Sequence, residues 1–312
     1  MKILITGANG NLGRQLIRRL CDGPVDSEPP RVKVRALVRS ENAARVVDSL
    51  PVTQSPELIV GDYSDAAFMR EAIEDCQFVV HLVGIIKEGA TANYHSAHEQ
   101  TCSVLADVSL DSTLQRIVYV SILGSRPDAA NACLASKGRA EQILHQGSCP
   151  STVLRVPMVL GPDDYASASL RRQGCSKFVA LVGGGVTLQQ PIDCDDVVKG
   201  ILAAIHTQHG NDEDFDLAGP ECLTHRDLVR RAGQLHGQNP LIVAIPTSLA
   251  RLFVGIAERL GTNPAITRSM FEILQCDDCV DQKPCCRKLG ISLTPLDNTL
   301  GRYVGPESRN LD

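Results

Sequence analysis

The sequence predicts an α/β fold built on a doubly wound parallel sheet, with a smaller mixed lobe in its C-terminal half. Apolar and β-branched runs alternate with helical patterns up to about residue 160, and helices separated by short strands follow. A chain of 312 residues is long enough for both parts. We therefore predict a first domain over 1–160 and a substrate or partner lobe over 161–312, with segments that can interleave. The strands predicted for the first domain are Lys2–Thr6, Val32–Val38, Leu58–Val60, Phe78–Val83, Arg116–Ser121 and Thr152–Val156.

The first strand, Lys2–Thr6, runs directly into a glycine-rich turn and a helix. With GxxGxxG spacing, Gly7 permits a tight turn, Gly10 lets the backbone approach a pyrophosphate, and Gly13 lets the helix pack closely. The helix N-terminus then presents free N–H groups to phosphate. An ordinary glycine turn is the alternative, but this context favours a dinucleotide site in a Rossmann-like fold. The predicted contacts are Gly7, Asn9, Gly10, Asn11, Leu12, Gly13 and Arg14.

The end of the second strand bears on the choice of dinucleotide. NAD-selective proteins usually place an acidic residue there, whereas NADP-selective proteins place a cation. Val32–Val38 is followed by Arg39, the first acidic residue is Glu41, and Arg14 offers a second cation. We therefore predict NADP(H) in preference to NAD(H), with a solvated, non-binding Arg39 as the alternative. The acidic, proline-rich stretch 22–30 before this strand is predicted to be a surface loop.

Charge and hydropathy exclude some partners. The net charge is −5 and the Lys and Arg residues form no large cluster, which argues against nucleic acid or an anionic membrane as the main partner. The longest apolar run, Phe78–Ile86, contains His81 and is too short to span a bilayer, so we predict no transmembrane segment. Because the N-terminus opens into a strand, we expect no targeting peptide and a cytoplasmic protein.

The twelve cysteines are expected to be free thiols in such a reducing compartment. A four-thiolate metal site is the alternative for one group near the C-terminus. Its C-x5-C-C spacing is unlike a standard zinc site, and adjacent cysteines rarely bind one tetrahedral ion together. We therefore predict no metal. The cysteines concerned are Cys276, Cys279, Cys285 and Cys286.

In the second half, Ile192-Asp193 leads into a helix with one apolar stripe, and Phe215–Leu217 is predicted as a short strand. Thr224 and Asp227 have the spacing of a capping box at the start of another helix. Two further helices are predicted over 247–260 and 264–275.

Further motifs share an order with the glycine loop. They are Gly61–Asp65, Ile117–Ser121, Ser136–Glu141, Leu154–Pro157, Gly161-Pro162, Pro191–Val197 and Leu217–Thr224. This order resembles the extended or atypical branch of the short-chain dehydrogenase/reductase superfamily over nearly the whole chain. Within that branch, Leu82–Ile86, Leu289–Ile291 and Pro295-Leu296 look most similar to the NAD(P)H-binding accessory subunit of respiratory complex I and its bacterial relatives.

The resemblance implies roles for single residues. Asp62, with Tyr63 beside it, would contact the adenine, Val83 and Gly84 would line the adenine-ribose pocket, and Lys137 would hold the nicotinamide ribose. Pro157 is assigned to the cofactor site by the same comparison. Plain structural alternatives remain: Asp62 as a helix cap, Gly84 as a strand end and Lys137 as a solvated helix residue.

The resemblance breaks at the catalytic position. This superfamily places a tyrosine four residues before the lysine, and the lysine charge lowers the pKa of the phenol for proton transfer. Here Cys133 occupies that position, Tyr119 lies inside a predicted strand, and Tyr94 has no lysine four residues on. A thiol whose pKa is lowered by Lys137 is one candidate acid, and an inert Cys133 is the alternative. Ser121 stays a candidate for binding a ligand oxygen.

Three functions fit these observations. The first is an NAD(P)H-binding protein with weak or no dehydrogenase turnover, which assists a respiratory or redox partner at the periphery of a membrane complex. The second is an active NADP-dependent oxidoreductase or sugar-nucleotide epimerase that uses a non-standard acid on a small-molecule or quinone substrate. The third is a regulatory protein whose bound cofactor reports redox state. Arg155, at the end of the sixth strand, is either a cleft residue or an ion-pair partner.

Overall fold

Six apolar runs of the first half and a strand at Glu213–Asp216 form one seven-stranded sheet with parallel pairing. The computed structural model describes residues 1–22, 32–89, 92–206, 212–260 and 266–306, so the loop predicted over 22–30 lies outside it from residue 23 onward. The strands of the sheet are β1 (Lys2–Thr6), β2 (Lys33–Val38), β3 (Glu57–Val60), β4 (Phe78–His81), β5 (Arg116–Ile122), β6 (Ser151–Val156) and β11 (Glu213–Asp216). The predicted strands are confirmed, although β4 ends at His81 and not at Val83.

The strand order β11-β6-β5-β4-β1-β2-β3 is that of a doubly wound Rossmann-like sheet. Chain progression reverses between β1 and β4, which pair directly with Ile3 opposite Phe78 and Thr6 opposite His81. Ligands of such sheets bind outside the carboxyl ends of the strands at this reversal. The segments that follow Thr6 and His81 are therefore the expected site.

Helices connect successive strands of this sheet. Buried residues on α1 and α5 face the strands, and caps fix several helix starts: Ser40 accepts from the Ala43 N–H, and Asn131 accepts from the Cys133 and Leu134 N–H groups. A π-helical turn, His95–Gln100, precedes α4. The helices are α1 (Asn11–Cys21), α2 (Glu41–Asp48), α3 (Ala66–Ala72), α4 (Thr101–Ser109), α5 (Ala132–Gln146) and α7 (Cys194–His206).

One apolar core lies between the sheet and the helices α3, α4 and α5. It consists of strand residues whose side chains alternate toward this face and of helix residues at helical spacing. Its fully buried members include Leu4, Val79, Ile117, Tyr119, Leu105 and Leu144. The core thus holds β1, β4 and β5 in the relation that positions the loops at their carboxyl ends.

The chain divides into two compact units. The first contains the sheet, and its segments are Met1–Arg155, Val197–Asp216 and Leu289–Ile291. The second contains the segments Val156–Asp196, Leu217–Lys288 and Ser292–Asp312. The assignment of residues 161–312 as a lobe for substrate or partner stays a prediction.

The second unit contains short two-stranded sheets and helices, as predicted for a smaller mixed lobe. Thr224 caps its helix by accepting from the Asp227 N–H at 3.2 Å, and its hydroxyl donates to the Asp227 carboxylate at 2.6 Å, so the predicted N-cap is confirmed. Among the described residues, the helix predicted over 264–275 spans Arg268–Ile273 and is therefore shorter than predicted. The strand pairs are β7 (Val159–Leu160) with β10 (Ile192–Asp193), β9 (Leu188–Gln189) with β12 (Leu223–Thr224), and β8 (Phe178–Val182) with β13 (Leu241–Ile245). The helices are α6 (Tyr165–Gly174), α8 (His225–Leu235), α9 (Thr247–Leu260), α10 (Arg268–Ile273), α11 (Lys283–Leu289) and α12 (Leu296–Tyr303).

Candidate functional site

The glycine loop between β1 and α1 has the geometry of a phosphate cradle. Gly7 has φ +68°, a left-handed conformation that a side chain would strain, and a Cβ there would lie 3.2 Å from the backbone of Leu82. A Cβ on Gly13 would lie 2.6 Å from the carbonyl oxygen of Ala8. Gly7 therefore sets the turn and Gly13 lets α1 approach the end of β1, which are the roles that the spacing predicts.

The N-terminus of α1 suits an anion. No side chain caps it at Gly10, and its first turn contains no acidic residue. Backbone N–H groups at such a terminus lack intrahelical partners and carry the positive end of the helix dipole. Asn9 is exposed, and Asn11 and Leu12 are half-buried in the first turn. Because the loop and the helix end both fit a phosphate, the residues present fit a dinucleotide.

Tyr63 connects the turn after β3 to the glycine loop. Its hydroxyl accepts from the Gly7 N–H at 3.2 Å and donates to the Leu37 carbonyl at 3.3 Å. Burial raises the pKa of Tyr63, so the phenol stays neutral. The guanidinium of Arg39, which is exposed after β2, lies 6.0 Å from the centre of the Tyr63 ring. Arg39 and the glycine loop thus flank one buried tyrosine.

Asp62, next to Tyr63, is exposed and forms a local turn. Its carboxylate accepts from the Ser64 N–H at 2.9 Å and from the Ser64 hydroxyl at 2.8 Å, and these bonds lower its pKa. The alternative of a helix cap at this position is wrong. The cap of α3 is Asp65, which accepts from the Ala67 N–H at 2.9 Å.

Gly84, which follows Val83 beyond the end of β4, lies close to Lys137. Val83 is buried and Gly84 is exposed in the segment after that strand. A Cβ on Gly84 would lie 2.8 Å from Lys137 Nζ. Lys137 is 4 % exposed, donates to the Val120 carbonyl at 3.1 Å and lies 4.4 Å from the centre of the Tyr119 ring. The alternative of a solvated lysine is therefore wrong, and burial lowers the pKa of Lys137 to about 8.

Cys133 lies one helical turn before Lys137 on α5. Its side chain is fully buried, and the thiol donates to the Ile85 carbonyl at 3.5 Å. Burial raises the pKa of this thiol to about 11, although the Lys137 charge acts in the opposite direction. The expectation that the lysine lowers the pKa of this thiol below its ordinary value is thus wrong, because the cost of burying a thiolate is the larger effect.

Ser121 and Arg155 both contact the buried carboxylate of Glu141. The Ser121 hydroxyl donates to Glu141, and Arg155 donates to the same carboxylate at 2.7 Å and 3.0 Å. Arg155 also donates to Asp214 at 2.6 Å. Arg155 is therefore an ion-pair partner, one of its two predicted roles, and the ligand-binding role of Ser121 stays a prediction.

His98 is a neighbour of this site that the sequence analysis did not select. Its Nε2 lies 3.0 Å from the Ile85 nitrogen and 3.1 Å from the Ile85 oxygen, and it would lie 3.6 Å from a Cβ on Gly84. Burial, together with Lys137, lowers the pKa of His98 to about 3, so the ring is neutral. No motif in the sequence marks this histidine.

The predicted residues therefore gather mostly in the first unit. Gly7 contacts Tyr63, and Gly84 lies against Lys137, which shares α5 with Cys133. Arg14 lies in the first turns of α1 and donates its backbone N–H to the Gly10 carbonyl at 2.9 Å. Pro157 belongs to the second unit.

The cysteines differ from expectation in one respect. Cys222 and Cys279 form a disulfide, with their Cα atoms 5.8 Å apart, so the expectation that all cysteines are free is wrong for this pair. The segment around Cys279 is held further where the Leu188 N–H donates to Asp277 at 2.8 Å. While the disulfide is intact, Cys279 has no thiolate to offer a metal ion. Cys276, Cys285 and Cys286 are in the reduced thiol form.

A Rossmann-like unit with a glycine cradle and a buried lysine at the switch point of its sheet defines a dinucleotide-binding protein. A family model described as NAD(P)H-binding matches residues 7–207, and the chain belongs to this family. It is an atypical short-chain dehydrogenase/reductase-like protein that binds a nicotinamide dinucleotide. Within the described ranges, no helix has the length and apolarity that crossing a membrane requires.

Two curated proteins and one solved structure illustrate these relations. Subunit 9 of the mitochondrial NADH dehydrogenase (ubiquinone) 1 alpha subcomplex from Arabidopsis thaliana is 23 % identical over 79 % of this chain, which spans 61 % of that relative. A 4-hydroxy-2-methyl-3-oxo-4-farnesyl-3,4-dihydroquinoline-1-oxide ketoreductase from Stigmatella aurantiaca is 27 % identical, with 83 % of this chain and 80 % of the relative covered. UDP-glucuronic acid 4-epimerase from Bacillus cereus, in complex with UDP-glucuronic acid and NAD, has a TM-score of 0.74 at 18 % identity, with 97 % and 98 % of the chains covered. The similarity to the epimerase structure shows that the two chains share a fold.

Proposed function

We propose that the chain binds NADP(H) in preference to NAD(H) and carries out little or no carbonyl reduction of the usual kind. The observation that carries the second part is Cys133. Where the superfamily has a phenol, this chain has a fully buried thiol that donates to the Ile85 carbonyl and whose pKa is raised to about 11. A proton donor with these properties exchanges protons poorly at neutral pH.

Arg39 supports the choice of NADP(H). Its guanidinium is exposed where β2 ends, and the side chain packs over Tyr63, whose hydroxyl contacts the glycine loop. A 2′-phosphate beside the adenine ribose would meet this cation, and a second cation at Arg14 follows the glycine loop. The nicotinamide ring supplies hydride when the cofactor is bound. Lys137 would hold the nicotinamide ribose hydroxyls, and Val83, Gly84 and Asp62 would line the adenosine half.

A redox partner is the second part of the proposal. The Arabidopsis relative is named as a subunit of the mitochondrial NADH dehydrogenase, and we infer a similar accessory role for this chain. That role places the protein either in the cytoplasm or against the surface of a respiratory membrane complex. A protein that retains cofactor without turnover serves such a complex, or a regulatory partner, as a structural or sensing subunit.

An active reductase is the alternative, and the Stigmatella relative favours it because that protein is named as a ketoreductase. The retained Lys137, with its pKa lowered to about 8, is the feature of this chain that such an activity needs. In that case a small ketone or a quinone is the expected substrate class, and the proton comes from a donor other than the buried Cys133 thiol.

One experiment separates the two functions. NADPH and NADH are titrated against the purified protein by calorimetry, and NADPH oxidation is then followed with panels of aldehydes, ketones and quinones. Tight NADPH binding with trace oxidation is the result that we expect. Rapid oxidation with any member of the panels contradicts the non-catalytic proposal, and tighter binding of NADH contradicts the cofactor assignment.

A further inference from the structure

The second unit contains a cavity of about 280 Å³ that lies between α6, β8, α10 and the start of α8. All of the residues that line it belong to that unit. Most of the wall is hydrocarbon and thioether, contributed by side chains of α6, β8 and α10 and of residues next to them, whereas α8 contributes His225. The apolar residues that form it include Met158, Leu170, Leu181, Val182, Met270 and Leu274.

The second feature of the cavity is the lack of charged side chains among its described lining residues. Among the described residues that line the cavity, none is Lys, Arg, Asp or Glu. A nucleotide sugar needs cations or several N–H donors for its pyrophosphate, and an apolar wall leaves such charges unpaired. The lining therefore excludes phosphorylated ligands and suits a neutral one.

The lining includes the polar side chains of Tyr165, Ser169, Gln173, Thr187, Gln275 and His225, and among these His225 offers a ring that can orient a neutral ligand. His225, the first residue of α8, donates its backbone N–H to the Thr187 carbonyl at 2.9 Å, and both residues line the cavity. Its imidazole makes no hydrogen bond to any residue in the described part of the chain. Burial lowers the pKa of His225, so the ring is neutral at pH 7 and offers one donor and one acceptor.

The mouth of the cavity is apolar as well. Tyr165, Ile266 and Leu274 are 75 %, 40 % and 48 % exposed, although all three also line the cavity. Apolar surface that is continuous from solvent into a cavity suits a ligand whose apolar part is longer than the cavity itself.

We propose that this cavity binds a neutral, chain-like apolar molecule with a hydroxyl or carbonyl head, and that His225 hydrogen-bonds this head. Alcohols, ketones and quinones with an isoprenoid or acyl chain belong to this class. The assignment rests on the cavity alone and does not depend on the proposed function at the dinucleotide site.

Geraniol, a short isoprenoid alcohol, is the test ligand, and its binding is measured by calorimetry on the full chain. The matched variants are Ala166→Phe and Ala168→Phe on α6, because Ala166 lines the cavity and Ala168 is exposed outside it. We expect saturable binding by the parent protein and by Ala168→Phe. Ala166→Phe should bind about tenfold more weakly or not at all, because the added ring occupies the cavity.

A second variant tests the head group. His225→Phe keeps a ring of similar size but removes both nitrogens, and we expect it to weaken geraniol binding about tenfold, the worth of one hydrogen bond. NADPH titration of every variant reads the dinucleotide site separately and should give the parent affinity. Absence of saturable geraniol binding, unchanged affinity in both Ala166→Phe and His225→Phe, or displacement of geraniol by UDP-glucose would overturn the proposal.

Discussion

Lys137 and Gly84 lie so close together that a Cβ at residue 84 would come within 2.8 Å of Lys137 Nζ. The ammonium group is therefore at the carboxyl edge of the sheet although its side chain is buried. It donates to the Val120 carbonyl at 3.1 Å and lies 4.4 Å from the centre of the Tyr119 ring. The role proposed for Lys137 at the nicotinamide ribose rests on this position beside Gly84.

Replacement of Lys137 should weaken the cofactor. Lys137→Met keeps the aliphatic stem but removes the ammonium, and we expect about tenfold to hundredfold weaker NADPH binding, since a hydrogen bond to a charged group is worth about 1.5–3 kcal/mol. Calorimetric titration measures the change, and Lys33→Met, at an exposed position on β2, is the control. A folded Lys137→Met protein with parent affinity would show that the lysine does not hold the ribose.

Removal of the Cys133 thiol should change little at the dinucleotide site. The thiol is buried and its hydrogen bond goes to the Ile85 carbonyl, so Cys133→Ala should keep NADPH affinity within about twofold, a weak hydrogen bond being worth little. NADPH oxidation with carbonyl and quinone panels should stay at a trace in both proteins. If the parent protein oxidises NADPH with one of these substrates and the Cys133→Ala variant does not, the thiol is catalytic.

Arg39 should decide the choice between dinucleotides. Arg39→Asp replaces a cation with an anion where a 2′-phosphate is expected, so NADPH affinity should fall more than tenfold, or about 1.5–3 kcal/mol for the lost charged contact. NADH affinity should stay the same or rise. Arg70→Asp, an equal change of charge at an exposed position of α3, is the control, and an equal loss in both variants would point to net charge instead of contact.

The parts of the fold that depend on local sequence could be predicted, and those that depend on distant contacts could not. The glycine loop and the strands follow from spacing and periodicity, because the left-handed turn at Gly7 and the close approach of Gly13 to Ala8 are local features. The environment of Cys133 depends on Ile85, 48 residues earlier in the chain. Similarly, the partner of Cys279 is 57 residues away. His98 lies in a π-helical turn, and the 3.6-residue period that identifies α-helices in a sequence does not predict such a turn.

The Cys222–Cys279 disulfide allows a direct test of the prediction that the cysteines near the C-terminus bind no metal. Cys279 pairs with Cys222, so the purified oxidised protein should contain no stoichiometric zinc or iron by elemental analysis, and a chelator should leave Tm unchanged. Cys222→Ser and Cys279→Ser should lower Tm by similar amounts, because either change removes the same cross-link. About one metal ion per chain that is lost in Cys279→Ser would contradict both the pairing and the absence of metal.

Buried neutral histidines should make the protein less stable in mild acid. His81 is fully buried, with Nδ1 2.8 Å from the Thr6 hydroxyl and Nε2 3.3 Å from the Thr101 hydroxyl. Burial, with the Lys137 charge, lowers its pKa to about 3, whereas an unfolded histidine titrates near 6.5. Between these values the unfolded chain binds the extra proton, so the free energy of unfolding falls as the pH falls.

The slope of this loss is the measurable quantity. Each such histidine removes about 1.4 kcal/mol of stability for each pH unit below about 6. Urea unfolding between pH 7 and pH 5 should therefore show a shallower loss for His81→Asn, which keeps a hydrogen-bond partner for Thr6 but does not titrate. His145 supplies a control of opposite sign, because its hydrogen bond to Asp214 raises its pKa. The stabilisation that protonated His145 gives is fully present below its pKa in the unfolded chain and is lost as the pH rises through its pKa in the folded protein. His145→Gln should therefore reduce the loss of stability as the pH rises on the alkaline side. Equal slopes in the parent and His81→Asn would mean that His81 takes up its proton in the folded state.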